Sequence, residues 1–217
     1  MDIELARFNM IEQQIRTWEV LDQSVLDLLG KIHREVFVPE SYRGLAFADI
    51  RIPLDHGQTM MMPKEEARVL QSLELGKDDT VLEIGTGSGY LTALLASTAG
   101  KVKSIDLYPD FTSSCHEKLA RFNLTNVELE TTDVYQLLQK GKQYDAVVLT
   151  ASLPKMDERF LQLVKEGGSL FVIVGSSPVM EAGLIAKQSA DSWSLEGLFE
   201  TDLPPLIGAL ENEPFQF

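Results

Sequence analysis

Three carboxylates and a run of glycines carry most of the chemistry that this chain announces. Glu83 opens the stretch Glu83-Ile84-Gly85-Thr86-Gly87-Ser88-Gly89, Asp106 stands 21 positions after Gly85, and Asp133 follows later. Glycines after a short apolar strand let the chain turn sharply and let a ligand approach the backbone closely. A carboxylate closing the next strand can accept both hydroxyls of an adenosine ribose. Glu83, just before the loop, would repel a pyrophosphate and welcome a cationic amine. The dinucleotide fingerprint G-x-G-x-x-G/A also wants Gly or Ala where Tyr90 stands, so a nicotinamide dehydrogenase is disfavoured twice. Glycines in a tight strand-to-helix turn can also serve packing alone, with no ligand.

These groups need a scaffold, and the flanking pattern supplies one. Thr80-Val-Leu-Glu-Ile-Gly85 reads as a strand and Tyr90–Ala99 as a helix. Lys101–Asp106 is a second strand and Phe111–Phe122 a helix. Asn126–Glu130 and Tyr144–Ala151 are further strands, Asp157–Glu166 a helix stopped by Gly167-Gly168, and Ser169–Gly175 a fifth strand. Alternating strands and helices predict an α/β fold with a doubly wound, mostly parallel sheet. The last 40 residues look strand-like, so the sheet should end in an antiparallel pair, and the tail from Ala209 reads as irregular. Before the sheet, Leu5, Phe8, Ile11 and Ile15 predict an amphipathic helix over 3–16. Asp22 caps a second helix with Val25, Leu28 and Leu29 on its apolar face, ending at Gly30. Pro63 suits the first position of a helix with Glu65 and Glu66 in its first turn and Leu70 and Leu73 toward the core. The expected organisation is a cap, residues 1–62, on a ligand-binding domain, residues 63–217, forming one compact unit.

Composition narrows the class. The 217 residues carry a formal net charge of −14, which disfavours gripping phosphate backbones or anionic lipid. No stretch approaches the ~20 apolar residues of a membrane span. A charged N-terminus and the single Cys115, which makes no internal disulfide framework, predict a cytoplasmic protein. His33, His56 and His116 have no metal-like spacing, so no metal is expected.

E-x-G-x-G-x-G, an acid ending the next strand and Asp133 after the third together resemble the class I S-adenosylmethionine-dependent methyltransferases, which are Rossmann-like. In that resemblance Glu83 and Gly85, Thr86, Gly87 and Gly89 hold the methionine part, Asp106 with Leu107 the ribose side, and Asp133 with Val134 lies near the adenine. The stretches Arg34–Glu40, Ala46–Thr59, Val81–Ala96 and Tyr144–Gly175 are similar, in order, to protein-L-isoaspartate O-methyltransferases. That family methylates the carboxylate of isoaspartyl residues, and the ester collapses to a succinimide, which begins protein repair. The resemblance therefore implies S-adenosyl-L-methionine as cofactor and isoaspartyl peptides or proteins as substrate. It also implies that residues near 59–62 close the site, with Thr59 and position 61 on the acceptor side and Met60 and Met62 near the cofactor.

The chain departs from the family at that loop. Aligned through Thr59 and Pro63, the active-site serine position holds Met61, the family's Gly-Asp-Gly is Thr132-Asp133-Val134, and the ending resembles the family only in Leu203-Pro204-Pro205-Leu206. The chemistry tolerates the change in principle. A carboxylate, with an unperturbed pKa near 4, is ionised at pH 7 and needs no general base. A serine would orient it, and losing one hydrogen bond to a charged group costs about 1.5–3 kcal/mol. Backbone N–H groups of the loop remain as donors. Packing alone is the other role open to Met60 and Met62. Two further functions stay open: O-methylation of a small molecule, and S-adenosylmethionine binding without turnover.

Overall fold

The computed structural model describes residues 2–189 and 192–211. The expected irregular tail lies outside the described residues from Asn212 onward.

The chain begins with α1 (Ile3–Asn9), capped by the Asp2 carboxylate, which accepts from Leu5 N. It does not continue as one amphipathic helix to residue 16. Met10–Ile15 widens into a π-helical stretch and Arg16–Trp18 tightens to a 3-10 turn. The wider turn rotates the inward face. Arg7, Met10 and Ile15 are buried, whereas Leu5 and Phe8 stay more than half exposed. Arg7 is tolerated inside because Glu4 and Glu35 both accept from its guanidinium. α2 (Gln23–Lys31) is capped by Asp22 as expected, and it buries Val25, Leu26 and Leu29 and runs through Gly30.

A small antiparallel hairpin follows, β1 (Ile52–Pro53) and β2 (Thr59–Met60), with Ile52 opposite Met60 and Pro53 opposite Thr59. α3 (Pro63–Ser72) then starts at Pro63, and the Glu65 carboxylate turns back to accept from Met62 N at 2.9 Å.

The main sheet contains β3 (Thr80–Ile84), β4 (Lys101–Asp106), β5 (Val127–Thr131), β6 (Tyr144–Leu153), β7 (Val164–Ser176), β8 (Val179–Ser189) and β9 (Ser192–Thr201). Its order is β5-β4-β3-β6-β7-β8-β9, parallel through β7 and antiparallel from β7 to β9. The connecting helices are α4 (Tyr90–Thr98), α5 (Pro109–Ala120) and the short α6 (Val134–Leu137). The helix expected over 157–166 is only a 3-10 stretch, Glu158–Leu163. Val164 already pairs with Tyr144 in the ladder, and Lys165 reaches Asp145 at 2.8 Å, so tertiary contacts draw these residues into β7.

Both sheet faces are covered, which is why the central strands are apolar without alternation. Val81, Ala146, Val148 and Phe171 face one core, and Leu82, Val147, Leu149 and Leu170 face the other. The first core also takes in Met10, Phe37, Ile52 and Met60, so the N-terminal segment and hairpin pack on α3 and α4 as one continuous interior.

Candidate active site

The strand order reverses between β3 and β6, and in such sheets the crevice for a ligand opens at the carboxyl ends of the strands on either side. The candidate residues gather there. β3 delivers Glu83 and the glycine loop, β4 ends at Asp106, and β6 brings Thr150 alongside. Gly85 has φ +101°, and a side chain there would collide with Thr150, whose hydroxyl donates to the carbonyls of Ile84 and Gly85 at 3.0 and 2.8 Å. Gly87 N donates to Asp106 Oδ2 at 2.9 Å, and Tyr108 N to Oδ1 at 3.1 Å. Two backbone bonds thus orient the carboxylate and leave acceptor capacity for a ligand's hydroxyls. Burial pushes the Asp106 carboxyl up, against those N–H groups.

Glu83 is fully buried. Its Oε2 accepts from Thr92 Oγ1 at 2.5 Å and Ser104 Oγ at 2.6 Å, while Oε1 has no partner. Burial raises this carboxyl to about 8, with nearby Asp106 and Glu66 adding to the rise. A buried carboxylate oxygen left unpaired is costly. A cationic amine beside it would supply the missing partner, so the donor set fits the amino acid end of S-adenosylmethionine.

The main cleft is lined by Thr59, Gly85, Gly87, Asp106, Leu107, Asp133 and Val134 among the candidates. Asp133 also caps α6, accepting from Tyr135 N at 2.9 Å. A smaller cavity joins it and is lined by Thr59, Met60, Met61, Glu83, Gly85, Thr86 and Gly87. Two candidates stand outside both. Met62 precedes α3 with its N–H taken by Glu65. Gly89 stands just before α4 as its N-cap, and a side chain on it would press into Cys115 Sγ at 2.7 Å. Its glycine is thus explained by helix packing.

The loop at 59–62 is held from behind. Arg34, fully buried, donates to Met61 O at 2.7 Å, Ala46 O at 3.0 Å and Glu66 Oε2 at 3.0 Å. Burial pushes the Glu66 carboxyl up to about 7 despite Arg34. Met61 is 5% exposed, and its side chain packs against the small cavity. Because Glu65 occupies Met62 N–H, that group is unavailable to an acceptor carboxylate. The Thr59 hydroxyl is buried without a partner.

Several residues in or beside the cleft were not singled out as site candidates from the sequence. Leu54 of the hairpin roofs the loop, with its Cδ1 3.4 Å from where a Gly87 side chain would begin. His56, at φ +59°, stacks on Tyr108 with ring centroids 3.8 Å apart and reaches Asp110 at 3.0 Å. Pro205, Leu206 and Ile207 close the cleft from the C-terminal segment. Thr150 is the one that the topology would have exposed, as a polar residue just past the stretch of β6 that pairs with β3 across the switch point. Among the described residues, no group of three or more His, Cys, Asp or Glu could hold a metal ion, and no helix is long and apolar enough to cross a membrane.

The family model described as protein-L-isoaspartate(D-aspartate) O-methyltransferase matches residues 6–209. A protein-L-isoaspartate O-methyltransferase from Methanoculleus marisnigri is 39% identical over 93% of this chain and 91% of its own length. One from Synechococcus sp. is 33% identical over 93% and 85%. Among solved structures, a beta-aspartate methyltransferase from Plasmodium falciparum in complex with S-adenosyl-L-homocysteine superimposes with TM-score 0.76 at 18% identity, covering 95% of this chain and 98% of that one. At that identity the likeness shows a shared fold, the class I methyltransferase architecture.

Proposed function

The chain belongs to the protein-L-isoaspartate(D-aspartate) O-methyltransferase family, and from that premise we propose that it methylates the carboxylate of isoaspartyl residues in peptides and proteins, using S-adenosyl-L-methionine. S-adenosylmethionine, when bound, supplies a methyl group on a sulfonium, an excellent leaving group. Everything else falls to orientation by this chain. Glu83 would neutralise the cofactor's ammonium through Oε1, Asp106 with Leu107 would hold the ribose side, and Asp133 with Val134 would lie near the adenine. The backbone at Gly85, Thr86 and Gly87 accommodates the methionine part. Residues 1–62 act as the cap, with Leu54, Thr59, Met60 and Met61 over the cofactor and Thr59 turned to the acceptor. No residue need act as a base, because the acceptor carboxylate is already ionised at pH 7. The buried, unpaired Cys115 is compatible with a reducing compartment, and we infer a cytoplasmic setting.

The observation that carries this reading is the unpartnered Glu83 oxygen, buried beside a glycine loop whose next strand ends in Asp106. A second reading, O-methylation of a less anionic small molecule, draws support from the apolar Met61. Methyl transfer from labelled cofactor to an isoaspartyl peptide, with the aspartyl peptide as control, separates them. Label in the isoaspartyl peptide alone is expected. Cofactor binding with no label in either peptide would overturn the reading.

A further inference from the structure

With Met61 at the serine position and Met62 N–H bound to Glu65, the acceptor carboxylate lacks two donors that the loop would otherwise offer. The hairpin supplies another. Pro53 lies opposite Thr59 and Ile52 opposite Met60. Opposed residues share a face and neighbours alternate, so Arg51 emerges on the Thr59 face and, by continuation of the register, across from Met61. Arg51 and Thr59 accordingly line one groove, which meets the cofactor cleft at Thr59 and Pro205.

We propose that Arg51 binds the acceptor carboxylate on the hairpin face that it shares with Thr59, supplying the charge-assisted contact that Met61 cannot make. This rests on the carboxyl-methylation reading. Among the described residues lining the cleft, the small cavity and this groove, Arg51 is the only cation. A separate polar groove holds Arg43, Lys118 and Arg121 but does not reach Thr59, and Lys118 Nζ already donates to the carbonyls of Phe37 and Ser88.

Arg51 is also prepared for a ligand. Its Nη2 makes both anchoring bonds, to Glu65 Oε1 at 2.8 Å and Thr201 Oγ1 at 2.6 Å, and the Thr201 hydroxyl donates in turn to Glu65. Nε is itself buried and has no partner, while the side chain as a whole remains about a quarter exposed. A guanidinium fixed through Nη2 has lost most of its rotamer freedom, while its exposed edge keeps N–H donors for a planar carboxylate. The Thr59 hydroxyl, equally unpartnered, lies on the same face. Asp202 lines the groove too, accepting from Ser177 Oγ, so the groove offers one positive and one negative group to a peptide.

The test uses the full chain loaded with S-adenosylhomocysteine and compares Arg51→Gln with wild type. Calorimetry on that complex measures the affinity for an isoaspartyl peptide, and initial rates with S-adenosylmethionine in place of S-adenosylhomocysteine give KM and kcat. Arg51→Gln is expected to weaken peptide binding and raise KM by about tenfold or more, with S-adenosylhomocysteine affinity nearly unchanged. A purely structural role, bracing Glu65 and α3, would instead lower Tm and cofactor affinity together. Arg51→Ala with added guanidinium ion separates the two further, because recovered methyl transfer requires a cation at the vacated position. Unaltered peptide affinity in Arg51→Gln, or an Arg51→Ala defect that guanidinium does not relieve, overturns the proposal while isoaspartyl methylation by wild type stands. If wild type binds S-adenosylhomocysteine but neither binds nor methylates the peptide, the carboxyl-methylation reading falls, and the role of Arg51 with it.

Discussion

Replacing Glu83 with Gln should make the ligand-free protein more stable at neutral and alkaline pH and at the same time cost it the cofactor. The reasoning starts from the buried carboxyl, whose pKa rises from an ordinary 4.5 to about 8 on folding. A group that holds its proton more tightly when folded binds more protons in the native state than in the unfolded one. Stability therefore falls as pH rises from the unfolded pKa toward the folded one, and is level outside that window. At about 1.4 kcal/mol per pK unit, the difference from 4.5 to about 8 amounts to at most roughly 5 kcal/mol, accumulated between pH 4.5 and 8. Glu66, raised to about 7 by burial, acts in the same direction over a narrower range. Glutamine keeps an oxygen to accept from Thr92 and Ser104 and carries no charge to desolvate. Urea unfolding followed by circular dichroism from pH 5 to 8.5 should give a falling midpoint for wild type and a flatter profile for Glu83→Gln, with Glu66 leaving a residual slope. Calorimetry at pH 8 should find S-adenosylmethionine affinity reduced by at least tenfold, since a charge-assisted contact is lost. Matching pH slopes in the two proteins, with cofactor affinity retained, would refute both the titration and the amine-binding role of Glu83.

Asp106→Ala should weaken S-adenosylmethionine by roughly 2–4 kcal/mol in calorimetry if the carboxylate holds both ribose hydroxyls; an unchanged affinity removes that role. Gly87→Val should abolish binding yet leave a native circular dichroism spectrum, because a Cβ there meets only Leu54 Cδ1 at 3.4 Å, although φ +49° will lower Tm. Tight binding by the folded variant would make the loop a packing device. Met61→Ser should raise isoaspartyl-peptide methylation by about tenfold or more, one hydrogen bond to a carboxylate being worth about 1.5–3 kcal/mol. Its burial means that the same change costs roughly 2–5 kcal/mol of stability through the space vacated. Rates and Tm should thus move in opposite directions, and a folded variant with no gain in rate would argue for a different acceptor.

Elements whose information is local could be read from residue order alone. Strand 80–84, its glycine loop and the helix from Tyr90 were legible because apolar run, turn residues and helix start lie within about 20 residues. The ordered motifs likewise carried the family, and alignment between Thr59 and Pro63 exposed Met61 as the departure. Contacts between distant segments emerge in the folded chain and have no such local signature. Arg34 grips the Met61 carbonyl across 27 positions, and Arg51 reaches Thr201 across 150. Neither pairing has a periodicity to read. The helix forecast over 157–166 failed because Val164 and Lys165 found partners on β6, and the helix forecast over 3–16 gave way at Met10 to a π-helical stretch, with Arg7 buried against Glu35. Gly89 looked like Gly85 and Gly87 in the motif, yet it faces Cys115 rather than the cleft, since helix α5 packs against the start of α4. Residue type and spacing specify what a segment can do, whereas the face it turns to a ligand follows from the partners that burial in a shared core assigns to it.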